Sequence, residues 1–136
     1  MEQIEFKSDG ASIWAGGFCD YLLISPDKRH EVTLRYLREP PHGDCYSEAY
    51  IDGVRLPGFA WGSNFAFTAD SNFFAASWML QLYERHTIIV DIGRRRYYML
   101  PEYIYDFSLC WPTVLGVGSD EGRHYGFDGS EVWTPF

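Results

Sequence analysis

His42-Gly43-Asp44-Cys45 is the one place in the chain where a histidine and a cysteine lie close together, so it is the first candidate for chemistry. A cysteine nucleophile needs an adjacent base, and a zinc ion needs three or four ligands at workable spacing. No second His/Cys pair follows, and His30, His86 and His124 each stand alone at a turn or strand end. No oxyanion-hole loop accompanies Cys45, and residues this close on a turn entering a strand seldom align. The expectation is a solvated loop histidine, with no catalytic residue and no metal site.

Carboxylate pairs are the second candidate, as in Asp44 with Glu48 or Asp120 with Glu121. A glycosidase pair must face across a cleft, and 19 acids in 136 residues make chance neighbours inevitable. Two glycine clusters, Ala15-Gly16-Gly17 and Leu115-Gly116-Val117-Gly118-Ser119, invite a phosphate-cradle reading. Neither opens a strand–helix unit, so the cradle would lack its helix N-terminus. They read as turns or bulges, and no cofactor is expected. Arg94-Arg95-Arg96 reads as a solvated hairpin tip; alternatively it meets an acidic block of a second copy, giving a homodimer.

The formal net charge of −8 is unevenly placed. Residues 39–70 carry Glu39, Asp44, Glu48, Asp52 and Asp70 against Arg55 alone, and residues 104–136 carry Asp106, Asp120, Glu121, Asp128 and Glu131 against Arg123 alone. Such a surface repels nucleic acid, whose binding depends on neutralising phosphates, and speeds encounter with a basic partner. The longest uncharged runs, 56–69 and 107–119, hold 14 and 13 residues, shorter than a bilayer span. The N-terminus lacks the basic start and apolar run of a signal peptide. Cys19, Cys45 and Cys110 match no disulfide framework, and their apolar neighbours predict buried, reduced thiols. A cytoplasmic setting with no membrane partner fits these features.

The elements that must position any site are strands. One domain, residues 1–136, is expected, with an aromatic core: ten Phe, ten Tyr and five Trp. Residues 64–68, 73–82, 87–92 and 97–100 read as consecutive strands, separated by turns at 69–72, 84–86 and 93–96. Residues 18–24 alternate, with Phe18, Leu22 and Ile24 expected on one face. Residues 31–37 alternate more cleanly, with Val32, Leu34 and Tyr36 expected on one face and Glu31, Thr33 and Arg35 on the other. Ser25-Pro26-Asp27-Lys28 is a turn, and Pro40-Pro41-His42-Gly43 must be a loop. Asp52-Gly53 and Asp128-Gly129 each predict a tight hairpin, because a two-residue primed turn needs positive φ. In 73–83, alternation would put Phe74, Ala76, Trp78, Leu80 and Leu82 on one face, while Phe74, Trp78 and Leu82 also fit a helical stripe with Ser71 as N-cap. The fold class expected is all-β, an antiparallel meander forming a sandwich or half-open barrel. The alternative is α+β, with one helix near 72–85.

Residues 65–100 resemble part of a β-propeller blade. They carry a strand, the Ala-Asp-Ser-Asn turn, a strand containing Ala75-Ala76-Ser77-Trp78, then Ile88-Ile89-Val90-Asp91 and a basic turn. A complete propeller needs at least about four blades of some 40 residues, so the resemblance implies a blade-like sheet within a single domain. In size, acidity and aromatic content the chain also resembles the small immunity proteins that accompany secreted bacterial toxins. That resemblance implies a cognate protein toxin, of basic charge, as partner, and inhibition by blocking its active site or substrate entry.

Trp61, Trp111, Trp133, Tyr103 and Tyr105 lie near the acidic blocks in sequence, and aromatics ringed by charge are what interface hot spots look like. The expected charge contacts are Asp44, Glu48, Asp70, Asp120, Glu121 and Asp128, with Trp61 and Trp133 as aromatic anchors. Carboxylates so placed would mimic phosphate against the basic residues of a nuclease. A second reading, a small-molecule-binding β domain, predicts an aromatic-lined cleft.

Overall fold

The computed structural model describes residues 1–38 and 45–136, so the predicted loop at Pro40-Pro41-His42-Gly43 lies outside the described residues. The chain is all-β. Fourteen strands are described: β1 (Glu2–Glu5), β2 (Ile13–Trp14), β3 (Tyr21–Ile24), β4 (Glu31–Arg38), β5 (Tyr46–Ile51), β6 (Val54–Arg55), β7 (Phe59–Phe67), β8 (Phe73–Met79), β9 (His86–Asp91), β10 (Arg96–Met99), β11 (Phe107–Cys110), β12 (Thr113–Gly116), β13 (His124–Gly126) and β14 (Thr134–Pro135). A large sheet runs in the order β1-β3-β4-β5-β7-β8-β9-β10-β14, with β2 added on β7 and β6 on β5; β11, β12 and β13 form a small sheet. All pairs are antiparallel except β1 with β3. The large sheet does not close into a barrel.

The expected meander is present as β7 to β10, and both of its faces are buried. Phe65, Phe67, Phe74, Ala76, Trp78, Ile88 and Val90 point into one core, where they meet Leu23, Val32, Leu34, Ala49 and Ile51 from the other end of the same sheet. The large sheet therefore curls around its own inner face. Ala66, Ala75 and Ile89 point outward into a second core beneath Leu100, Ile104, Phe107, Leu109 and Val114. Ala66 lies opposite Ala75 and Ala75 opposite Ile89, so small side chains mark where the small sheet lies against the large one. Trp78 is fully buried, and its indole N–H donates to the Pro57 carbonyl at 2.8 Å.

A wide bulge interrupts β7. Ala60 lies opposite Trp78 and Phe65 opposite Ala76, so four residues of β7 face the single residue Ser77. Within it Gly62 has φ +121° and Ser63 φ +67°. The bulge bends the strand, and its two halves change neighbours: Ala60 and Trp61 pair with β5, whereas Asn64 and Phe65 pair with β2.

Several sequence expectations hold. Val32 and Leu34 face the core with Tyr36 half-buried beside them, and residues 73–79 form a strand instead of a helix. Asp52 and Gly53, at φ +48° and +85°, make the predicted tight turn between β5 and β6.

Four expectations are corrected. The face expected to carry Phe18, Leu22 and Ile24 is not the buried one: Tyr21 and Leu23 of β3 face the core, Leu22 and Ile24 are half-buried, and Phe18, before the strand, is 70 % exposed. Register decides this: Leu23 lies opposite Val32 and Tyr21 opposite Leu34, and directly opposed residues share a face. The strand at 73 ends at Met79, leaving Leu80 and Leu82 exposed in the turn. Asp128-Gly129 is not a hairpin, because β13 pairs with β12 and β14 pairs with β10. Gly129 has positive φ but Asp128 does not, so the primed turn cannot form. The thiols are not buried: Cys110 is exposed, and Cys19 and Cys45 are half-buried.

The bulge predicts a contrast between two glycines. A Cβ on Gly62 would sit 2.8 Å from the Ser77 Cβ, whereas one on Gly53 meets nothing within 4 Å. Gly53→Ala is expected to cost about 1–2 kcal/mol for its left-handed backbone alone. Gly62→Ala should add an overpacking cost of about 1–3 kcal/mol. Urea unfolding of the two variants checks the order, and equal losses would contradict it.

Candidate functional site

Residues 101–106 cross the outer face of β7–β9 and are pinned there by polar side chains. Thr87, fully buried on β9, accepts from the Ile104 N–H and donates to the Ile104 carbonyl, both at 2.9 Å. Asn64 of the β7 bulge donates to the Tyr105 carbonyl at 3.0 Å. From the other side, one Asp120 carboxylate oxygen accepts the N–H groups of Tyr105 and Asp106, each at 2.9 Å. Asp120 and Glu102 also hold Arg123, which reaches the Tyr103 carbonyl at 3.4 Å. Among the described residues no buried side-chain polar atom lacks a partner.

This pinning displays Tyr103 and Tyr105, both half-buried, with ring centroids 6.4 Å apart. The Tyr103 hydroxyl lies 3.2 Å from the buried Ser77 hydroxyl and 3.5 Å from the Arg85 guanidinium. Arg85 in turn lies over the Trp61 ring at 3.8 Å, and Trp61 packs edge-on against exposed Tyr83. Glu84 and Glu102 are exposed in the segments that carry these aromatics, with Asp106 half-buried, and Glu121 is exposed next to Asp120 in sequence. The result is a rigid tyrosine ledge edged by carboxylates.

The remaining predicted residues are dispersed. Glu48 pairs with Arg55 at 3.1 Å, which neutralises it. Asp128, exposed after β13, accepts from the backbone and hydroxyl of Ser130. Trp133 joins Phe127, Tyr98 and Phe73 in an aromatic cluster at the rim of the second core, with Arg96 over its ring at 4.8 Å. Trp61 is only 6 % exposed and serves as a platform for Arg85, not as a projecting anchor. Asp70 lines a separate open cleft of about 540 Å³ with Asp9, Cys110 and Trp111. Asp44 lies outside the described residues, as does His42. Among the described residues, Asp120 meets the ledge directly through the Tyr105 N–H, and Trp61 is linked to Tyr103 through Arg85.

Thr87, Asn64 and Ser77 were not singled out by sequence reasoning. Their signal is a polar residue inside an otherwise apolar strand, which must find a partner once buried. Among the described residues no group of three His, Cys, Asp or Glu side chains is placed to hold a metal ion, and no helix is long and apolar enough to cross a membrane. His30 instead pairs with Asp52 at 2.7 Å, tying the β3–β4 turn to the β5–β6 turn. Compared with known protein families, curated proteins and solved structures, the chain matches none.

Several carboxylates are held below their ordinary pKa. For Asp70 the causes are the Thr68 hydroxyl and the Asn72 N–H; for Asp128, the Ser130 hydroxyl and N–H; for Glu131, the Tyr125 phenol at 2.6 Å. At Asp27, desolvation opposes ionisation, but donors from Arg29, Ser25 and Ser71 outweigh it. Burial, and then donation to Glu131, push the Tyr125 phenol up.

Two outcomes follow from these contacts. A carboxylate with a depressed folded pKa contributes stability that is complete above its unfolded value, about 4, and is lost as pH falls through the folded one. The urea midpoint should therefore decline from about pH 5 to about pH 2, and a flat profile would exclude these contacts as a net source of stability. Thr87→Val keeps the shape but strands the Ile104 N–H and C=O, at about 2–4 kcal/mol for two buried groups. Amide exchange in 101–106 should accelerate in that variant, and unchanged protection would show that Thr87 is not the pin.

Proposed function

We propose that this chain is an immunity-type protein of the bacterial cytoplasm that binds a cognate protein toxin of basic charge and occludes its working surface. The observation that carries this reading is the ledge at 101–106. Its tyrosines are held by Thr87, Asn64, Ser77 and Asp120 before any partner arrives. Anchors ordered in advance lose little conformational entropy on binding, and tyrosine offers a large, stiff, amphipathic contact.

Charge supports the same reading. The 104–136 block is net −4 and supplies Asp106 and Asp120 to the ledge, with exposed Glu121 following Asp120 in sequence. A field of that sign accelerates encounter with a basic protein and disfavours nucleic acid. Occlusion would be steric, with carboxylates taking the place of substrate phosphates on a nuclease. The small-molecule reading draws less support: Trp111 is the one aromatic among the described lining of the 540 Å³ cleft.

A pull-down of the tagged protein from its native lysate, with the adjacent genes co-expressed, tests the proposal. The expected result is one stoichiometric basic partner that is toxic when expressed alone. Tyr105→Ala and Glu121→Lys should each weaken that complex, Tyr105→Ala by about tenfold or more as expected for a hot spot. Glu121→Lys should act mainly on the association rate and its salt dependence. A partner that binds both variants with wild-type affinity would place the interface elsewhere. Recovery of no partner from well-folded protein would count against the toxin reading itself.

A further inference from the structure

Two clefts of opposite charge flank the turn that joins β7 to β8. On one side is the 540 Å³ cleft, where Asp9 and Asp70 meet the edge of Trp111. On the other is a cleft of about 300 Å³ lined by Asn72, Phe73, Asp91, Arg94 and Arg96. The wall between them is the stack of Phe73 on Trp111, with ring centroids 3.8 Å apart.

Neither side is neutralised from within. Among the described residues Asp9 accepts from the Ala11 N–H, and Asp70 from the Thr68 hydroxyl and the Asn72 N–H, and neither has a cation beside it. In the second cleft Asp91 is already taken by Arg96 at 2.9 Å, which leaves the charge of Arg94 uncompensated. Arg94 and Arg95 stand exposed on the β9–β10 turn, with no ion-pair partner among the described residues. Exposed, unpaired arginines beside an acidic cleft, in a protein with 19 acids and 11 bases, are the unexplained feature of this face.

We propose that this face is a two-fold interface between copies of the chain, in which Arg94 of each protomer enters the Asp9–Asp70 cleft of the other. A two-fold contact uses the same patch on both subunits, so residue i meets j and j meets i. A two-fold axis through the 69–72 turn presents each acidic cleft to a basic one, and the arginine-carboxylate pair is formed twice. Guanidinium suits this role, since its planar fork of donors can meet two carboxylates at once. Exposed ion pairs are individually weak and screened by salt, so the dimer is concentration-dependent and most populated at low ionic strength. The interface uses neither Tyr103 nor Tyr105, so it stands or falls independently of toxin binding.

Sedimentation equilibrium of the purified chain alone tests the proposal. The wild type should dimerise reversibly, with a dissociation constant that rises by tenfold or more between about 0.05 and 0.5 M salt. Arg94→Asp and Asp9→Arg, both at exposed turn positions, should each give a folded monomer. An equimolar mixture of the two variants should dimerise again, because one contact is native and the other is charge-swapped; the double variant should do the same. Circular dichroism and urea midpoints establish that each variant is folded. A wild type that stays monomeric at low salt overturns the proposal, as does a dimer that either reversal leaves intact. Failure of the mixture to reassociate overturns the two-fold geometry.

Discussion

Burial of both faces of β7, β8 and β9 is the constraint on which the rest depends. A strand with one wet face can carry polar residues there freely, but these three cannot. Their apolar residues divide between the inner core, around Phe65, Phe74 and Trp78, and the outer core, around Ala66, Ala75 and Ile89. The polar side chains Asn64, Ser77, Thr87 and Asp91 on these strands each take a partner, since a buried unsatisfied group costs roughly 1–3 kcal/mol. Thr87, Asn64 and Ser77 meet that demand by holding the segment 101–106, so a requirement of the core becomes a means of fixing a surface.

The bulge in β7 serves the same end from the backbone. By placing four residues opposite one, it lets β7 exchange β5 for β2 as neighbour and turns Asn64 toward Tyr105. Gly62 makes the close approach to Ser77 possible, and the Ser77 hydroxyl lies 3.2 Å from that of Tyr103. Bulge, polar pins and tyrosine ledge form one mechanical unit.

Charge is organised by pairing as much as by sequence blocks. Glu48, Asp52, Asp91 and Asp120 each have a base beside them, whereas Asp9, Asp70 and Glu121 have none among the described residues. The effective negative surface is thus narrower than the count of acids suggests. It includes the cleft beside the 69–72 turn, where Asp9 and Asp70 have no base beside them among the described residues.

The all-β class, the β7–β10 meander, the inward face of β4 and the Asp52-Gly53 turn were determined by the sequence itself. Alternation and turn chemistry act over a few residues, and they are the same whatever lies across the sheet. The face of β3 was not legible, because its alternation fits either parity and only the register Leu23 opposite Val32 selects one. Asp128-Gly129 carried a hairpin signal that lost to pairing elsewhere, with Glu131 gathering the local N–H groups into a different loop. Among the predicted contact residues, the acids could be counted but not sorted, since an acid near an arginine in space is neutral to a partner while one without such a neighbour is not. The ledge was invisible for the same reason. Thr87 and Ile104 are 17 residues apart and Asn64 and Tyr105 are 41 apart, and contacts at such separations are set by the packing of one sheet on another, which no local pattern encodes.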